Sequence, residues 1–505
     1  DAQKLPLNGL VWYPEGAGPF PLVLIVHGNH AMMDSSDPGY AYLGELLASR
    51  GMIAASIDEN FLNGSWTDVH LFGIEGLKNE NDARGWLALE HLVQWRAWNE
   101  TQGNPFYQKV DLQRIALIGH SRGGEAVAIA AAFNRLPADP ENANIRFEFN
   151  FNIRAVAAIS PSDGQYTPSG RATNLTNLDY LVLQGASDSD VQSFQGIRQY
   201  NRVKFTGGQD WFKAALYIGQ ANHGQFNSGW GRFDLGSGFP MRGLVNTASL
   251  LSQEDQQQIA RVFLSAFLED ALNDQDRYHS LFSDPRTARA WLPSVVYQTR
   301  YADSRTLPLA NFEEDIDVTT ATQPGATLDS DRLILWHEDQ LDLKQDGQQS
   351  TAVFLGWDAE KNPDPARYNL TLPQDGSQIP PTATLVFDLA DASMDPITGR
   401  LLPPTPEPLD LTIELMDSSG RTASLPLSSV MPLQPQIHYQ AMKDRLLMGY
   451  PIRPGEPFLQ VYEFPLAAFQ AANPHLDASQ IAAVHFIFDR SKRGVVALDE
   501  IGFRE

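Results

Sequence analysis

Residues 115–132 constrain the fold more than any other stretch of the chain. Ile115-Ala116-Leu117-Ile118 is a short apolar run of the kind that makes a buried strand. Gly119-His120-Ser121-Arg122-Gly123-Gly124 follows, and residues 126–132 read as a helix apolar on most sides. Strand, tight Gly-x-Ser-x-Gly turn and helix make the layout of a nucleophile elbow, which lifts a serine hydroxyl into the open at a helix N-terminus. Glycines flank the serine because a Cβ there would strike the strand or the helix. The free N–H groups of the helix's first turn favour negative charge developing beside them. A bare Gly-x-Ser-x-Gly also fits a glycine-rich loop with a satisfied hydroxyl, but the strand before it and the helix after it favour the elbow.

Strands and helices alternate around this unit. Residues 21–26 are wholly apolar, as in a central parallel strand covered on both faces. Runs at 52–57, 154–159, 180–184 and 214–218 read as further strands, and 10–13 as an outer one. Residues 40–50, 81–98 and 253–272 carry helical patterns. The alternation predicts an α/β fold, a mainly parallel sheet between helical layers. Ligands bind at the carboxyl ends of such strands, where the polar clusters 27–30, 161–164, 188–190 and 222–224 fall. After about residue 284 helical periodicity fades. Short β-type runs at 332–336, 351–355, 383–387, 409–415, 483–488 and 494–498 predict an all-β sandwich. At 505 residues the chain is long for one core. The expected organisation is an α/β domain over 1–285, a linker over 286–308 and the sandwich over 309–505.

Acidic residues outnumber basic ones, 61 to 37, for a net charge of −24. Phosphates and anionic membrane surfaces would be repelled, so nucleic acid is not an expected partner. The chain has no cysteine, which removes disulfides, thiol catalysis and thiolate metal sites. No apolar run reaches the roughly 18 residues of a membrane span. Asp1 opens the sequence without an apolar leader, as in a processed protein, and a secreted or periplasmic location is expected.

A serine hydroxyl is nearly inert at neutral pH and needs a base, which in turn needs a group to fix its tautomer. On an elbow-bearing sheet the chain order is serine, acid, histidine. Asp188, three residues past Gly185 at the end of its strand, is the expected acid, with Asp190 the alternative. The carboxylate not used for catalysis is expected to cap a turn or helix. His223, between Asn222 and Gly224 in the loop after the last strand, is the expected base. Of the other histidines, His120 is expected to point away from Ser121, and His91 falls mid-helix before the nucleophile. His279, His337, His438, His475 and His485 fall in the closing region or the β part. The oxyanion donors are expected to be the N–H groups of Arg122 and Asn29, with His30 as the alternative to Asn29. Met32, Met33, Phe61, Leu62, Trp66 and Phe72 lie in loops beside the site, as an apolar acyl pocket or as satellite core.

The hexapeptide Gly119–Gly124 resembles the elbow of chlorophyllases and related α/β-hydrolases. The opening, Val11-Trp12-Tyr13-Pro14 through Gly18-Pro19-Phe20-Pro21 to Val26-His27-Gly28, is similar to the start of cutinase-like and dienelactone-hydrolase-like esterases. The likeness spans roughly residues 5–270. It implies carboxylic ester hydrolysis through an acyl-enzyme by Ser121, Asp188 and His223, without a cofactor. The implied partner is an ester substrate, small or polymeric, with polyester and polysaccharide esters included. Two departures from cutinases stand out: Arg122 follows the nucleophile where they usually carry Met, and the C-terminal disulfide many of them have is missing. A peptidase or thioesterase on the same fold, and a non-catalytic protein whose β part binds, remain as alternatives. The C-terminal part resembles galactose-binding-like jelly rolls, from Ala310-Asn311-Phe312-Glu313-Glu314-Asp315 to Val496-Ala497-Leu498-Asp499-Glu500-Ile501-Gly502-Phe503. Such sandwiches admit a structural calcium, here on Glu313 and Asp499; solvated carboxylates are the alternative.

Overall fold

Apolar strands buried on both faces organise the first part of the chain. The computed structural model describes residues 6–63, 80–207, 210–234, 242–373, 379–392, 408–444 and 453–505. The chain divides into two compact units, residues 1–297 with 439–452, and residues 298–438 with 453–505.

In the first unit the elements are β1 (Gly9–Trp12), β2 (Phe20–Val26), α1 (Ala41–Ser49), β3 (Ile53–Ile57), α2 (Asn81–Glu100), β4 (Val110–His120), α3 (Arg122–Phe133) and β5 (Ile153–Ile159). There follow the short β6 (Leu175–Thr176), β7 (Asp179–Gly185), α4 (Ile197–Arg202), the short β8 (Val203–Lys204), β9 (Phe212–Ile218), α5 (Gln253–Asn273) and α6 (His279–Ser283). Seven neighbouring strands of an eight-stranded sheet run β1-β3-β2-β4-β5-β7-β9. The pairings among these seven are parallel except that of β1, which meets β3 antiparallel. The α/β expectation therefore holds at the level of a mainly parallel sheet with an antiparallel edge. Residues 22–26 and 115–118 have no exposed surface, as strands covered on both faces require. Helices α2 and α3 pack together against β4, and α1 and α5 pack together with α5 against β4 and β5. Ser252 caps α5 through its hydroxyl, which accepts from Asp255 N–H at 3.1 Å. Trp95, 1% exposed, closes one corner against Trp98 and Phe106.

The second unit is antiparallel β. After β10 (Tyr297–Asp303) come β11 (Thr306–Ala310), β12 (Thr327–Asp331), β13 (Leu335–Asp342), β14 (Gly347–Asp358), β15 (Ala366–Thr371), β16 (Thr384–Asp391) and β17 (Thr412–Asp417). Then follow β18 (Thr422–Pro426), β19 (Gln460–Pro465), α7 (Leu466–Ala472), β20 (Ile481–Phe488) and β21 (Arg493–Arg504). One sheet runs β13-β14-β21-β16-β19 with β11 on β21, the other β12-β15-β20-β17-β18. In the core the two sheets share, Phe387 stacks on Tyr462 and Phe464 and meets Phe486 edge-on. Arg300, 2% exposed, reaches Asp388 at 2.5 Å and Asp499 at 2.9 Å. Asp499 is thus engaged by a guanidinium, and Glu313 accepts from Thr351 N–H at 2.7 Å. Among the described residues no group of three or more His, Asp or Glu is placed to hold a metal ion.

Three expectations differ from what is seen. Residues 286–308 hold part of a 3-10 turn, all of β10 and the start of β11 rather than a free linker. The run 332–336 does not form one strand, because Arg332 turns at φ 59° between β12 and β13. Residues 439–452, expected within the sandwich, belong to the first unit.

Candidate functional site

Ser121 stands where β4 ends and α3 begins, with φ 58° and ψ −126°. A non-glycine residue at such angles costs about 1–3 kcal/mol and persists only where its surroundings enforce it. Here Ser121 N–H donates to Ile159 O at 2.9 Å, and Gly124 N–H donates to Ser121 O at 2.8 Å. Gly119 is required by the close return of the chain: a Cβ on it would lie 2.0 Å from Gly123 O. The hydroxyl of Ser121 makes no capping bond to α3, so it is not spent on the helix.

The other expected residues gather at the same end of the sheet. Asp188 follows β7 and His223 follows β9. His223 Nδ1 lies 2.8 Å from Asp188 Oδ2. A carboxylate there makes Nδ1 the protonated nitrogen, leaving Nε2 to face the cleft. Asp188 Oδ1 also accepts from the N–H groups of Asp190 and Val191, at 2.9 and 2.8 Å, and Oδ2 accepts from Gln184 Nε2 at 3.1 Å. One carboxylate therefore both shapes the loop and orients the imidazole, where a division of those roles between two aspartates was expected. Asp190 has its side chain half exposed, with Oδ2 3.7 Å from His223 Nε2. Nε2 itself has no hydrogen-bond partner, so it is not closed onto Ser121. Burial pulls the His223 imidazole down, but the charges of Asp188, Asp190 and Asp234 outweigh it and raise the group from 6.5 to about 10.

Gly28, after β2, touches the elbow. A Cβ on it would fall 2.5 Å from Ser121 Cβ, 2.7 Å from His120 O and 3.0 Å from Arg122 N. That contact brings the residue next to Asn29 against the N–H of Arg122. His27 sets the loop: its Nδ1 is 2.8 Å from Gly28 O, and its Nε2 accepts from Glu59 N–H at 2.9 Å. Burial, reinforced by Arg84, lowers His27 to about 3, so the ring is neutral and its tautomer fixed. Behind it, wholly buried Arg84 pairs with Glu59 at 3.2 Å and Glu80 at 3.6 Å, and Glu80 also binds the Arg122 guanidinium. Burial raises Glu59 to about 8 against the pull of Arg84.

Residues that the sequence pattern did not single out complete the site. Asp234 bridges the two loops, accepting from Ser189 N–H at 2.7 Å, Asn222 Nδ2 at 2.6 Å and Gly224 N–H at 3.0 Å. Trp230 stacks on His30 at 5.3 Å and on His120 at 4.6 Å. His120 is buried with Nδ1 2.9 Å from Tyr40 Oη, and its ring lies 4.9 Å from that of His223, so it forms part of the packing around the base. Tyr439 Oη lies 3.2 Å from Ser189 Oγ. It opens a strap in which Asn246 N–H donates to Ala441 O and Lys443 N–H to Leu244 O, each at 2.8 Å. Of the expected acyl-pocket residues, Met33 is 85% and Met32 40% exposed, while Phe61 and Leu62 are half-buried. Trp66 and Phe72 lie outside the described residues. Such an arrangement can activate a hydroxyl and hold a developing oxyanion. Neither a scan against protein-family models nor a search of curated proteins finds a match to this chain.

Proposed function

We propose that the first unit is a serine carboxylic ester hydrolase of the α/β-hydrolase type, with the second unit a jelly-roll accessory domain. The observation that carries this reading is Ser121, held at φ 58° with its hydroxyl making no capping bond to α3, at the end of the sheet where His223 meets Asp188 at 2.8 Å. Ser121 Oγ attacks the ester carbonyl carbon while its proton passes to His223 Nε2. The oxyanion lies against the N–H groups of Arg122 and Asn29. Collapse breaks the bond to the alcohol oxygen, which takes the proton from Nε2 and leaves. Water then repeats the sequence on the acyl-enzyme and returns free Ser121.

The test is labelling by a fluorophosphonate together with hydrolysis of p-nitrophenyl butyrate. Ser121→Ala is expected to abolish labelling and to lower turnover by roughly 10⁵-fold or more, with an unchanged circular dichroism spectrum. Labelling retained in that variant, or an unlabelled wild-type protein, overturns the reading. Matched esters and amides in the same assay separate an esterase from a peptidase.

A further inference from the structure

The nitrogen that hands a proton to the leaving alcohol is His223 Nε2 on the reading above. That imidazole is 2% exposed, and Nε2 has no hydrogen-bond partner. The polar group facing it is Asp190 Oδ2, at 3.7 Å. The carboxylates around the imidazole are not equivalent. Asp188 is 1% exposed and takes four hydrogen bonds. Asp234 takes three, across the two loops. The Asp190 carboxylate is half exposed, and its backbone N–H, bonded to Asp188 Oδ1 at 2.9 Å, fixes the residue in place. It opens on a cleft lined also by Asn29, His30, Gly224, Trp230 and Phe233. Arg122, whose charge acts on Asp190, has its guanidinium on Glu80.

We propose that Asp190 selects the alcohol half of the substrate, favouring esters whose leaving group carries an alkylammonium and disfavouring those that carry a carboxylate. A cation departing past Nε2 meets a negative charge that is exposed enough to be reached and buried enough to be felt. At a separation near 5 Å and water-like screening the attraction is roughly 1 kcal/mol, about a fivefold preference. A carboxylate-bearing alcohol is disfavoured by a similar factor.

Choline butyrate, its uncharged isostere 3,3-dimethylbutyl butyrate, and the butyrate ester of glycolate share one acyl group. Comparing their kcat/KM at one pH cancels the ionisation of His223, which acts on all three alike. The full chain is expected to prefer choline over the isostere about fivefold at low salt and to rank glycolate last. Asp190→Asn is expected to bring the three within about twofold, and added salt to compress the wild-type order. Equal rates on all three in the wild type, or an order untouched by Asp190→Asn, overturns the inference while leaving ester hydrolysis standing. No turnover of any ester with no fluorophosphonate labelling overturns the hydrolytic reading and this inference with it.

Discussion

Asp190→Asn also makes a sharp test of the electrostatics around the base. The proposed base must be neutral to take the Ser121 proton, so the acid limb of kcat/KM reports the His223 ionisation. The surrounding carboxylates lift that ionisation from 6.5 to about 10, which predicts activity still rising through the alkaline range. Unit charges 3.7 Å apart interact by roughly 1 kcal/mol in water and roughly 4.5 kcal/mol at an effective dielectric of 20. The Asp190 side chain is half exposed, which places its share near the lower figure. At about 1.4 kcal/mol per pH unit, Asp190→Asn should move the acid limb down by about one unit. Asp188→Asn makes the contrast: its amide would present N–H to Nδ1, favour the wrong tautomer and cut the plateau by roughly 10⁴-fold. Initial rates on an uncharged ester between about pH 6 and about pH 10, by pH-stat, give all three profiles. The same ionisation acts on stability. A histidine raised on folding stabilises fully below 6.5, and that contribution is lost as pH rises to about 10. A wild-type acid limb at or below 6.5, or one that Asp190→Asn leaves in place, refutes the argument.

Gly28→Ala puts a methyl 2.5 Å from Ser121 Cβ and 2.7 Å from a backbone oxygen; a loss of about 1–3 kcal/mol and of most ester turnover is expected, read by urea titration and the butyrate assay. Trp95→Ala empties a corner filled by a side chain 1% exposed and should cost about 3–5 kcal/mol by chemical denaturation. Arg300→Met leaves Asp388 and Asp499 buried without their cation. A destabilisation of about 3–5 kcal/mol is expected, seen as an earlier urea transition, with fluorophosphonate labelling of Ser121 unchanged in native buffer.

The central strands of the first unit were legible because each carries an apolar stretch, such as residues 22–26 of β2 and 115–118 of β4, and a strand covered on both faces keeps such a stretch. Their order along the chain then locates the end of the sheet where Ser121, Asp188 and His223 gather. The β part was harder to read. β15 reads Ala-Arg-Tyr-Asn-Leu-Thr and β19 reads Gln-Val-Tyr-Glu-Phe-Pro, half-polar because one face of each looks away from the core. The contribution of residues 439–444 to the first unit has no local signature, since it depends on pairing with residues nearly two hundred positions earlier. Asp234 escaped notice for a similar reason. A single aspartate in a glycine-rich loop reads as solvated, and only the three donors that converge on it give it a role.

The Asp188-Ser189-Asp190 triplet shows what spacing alone leaves open. Residues two apart in a loop can exchange roles without changing the pattern, and spacing assigns one aspartate to the turn and the other to the proposed base. Geometry removes that competition. A carboxylate has about four acceptor positions, and Asp188 uses one oxygen for the two N–H groups that turn the loop and the other for His223 and Gln184. Turn and base orientation are then one constraint: the loop cannot relax without misaligning the imidazole. Because the turn does not need Asp190, its carboxylate is available to face Nε2 and the cleft. On the proposed hydrolytic reading, the acidity of the loop has two separable consequences, a fixed orientation from the buried member and a field on the departing group from the exposed one.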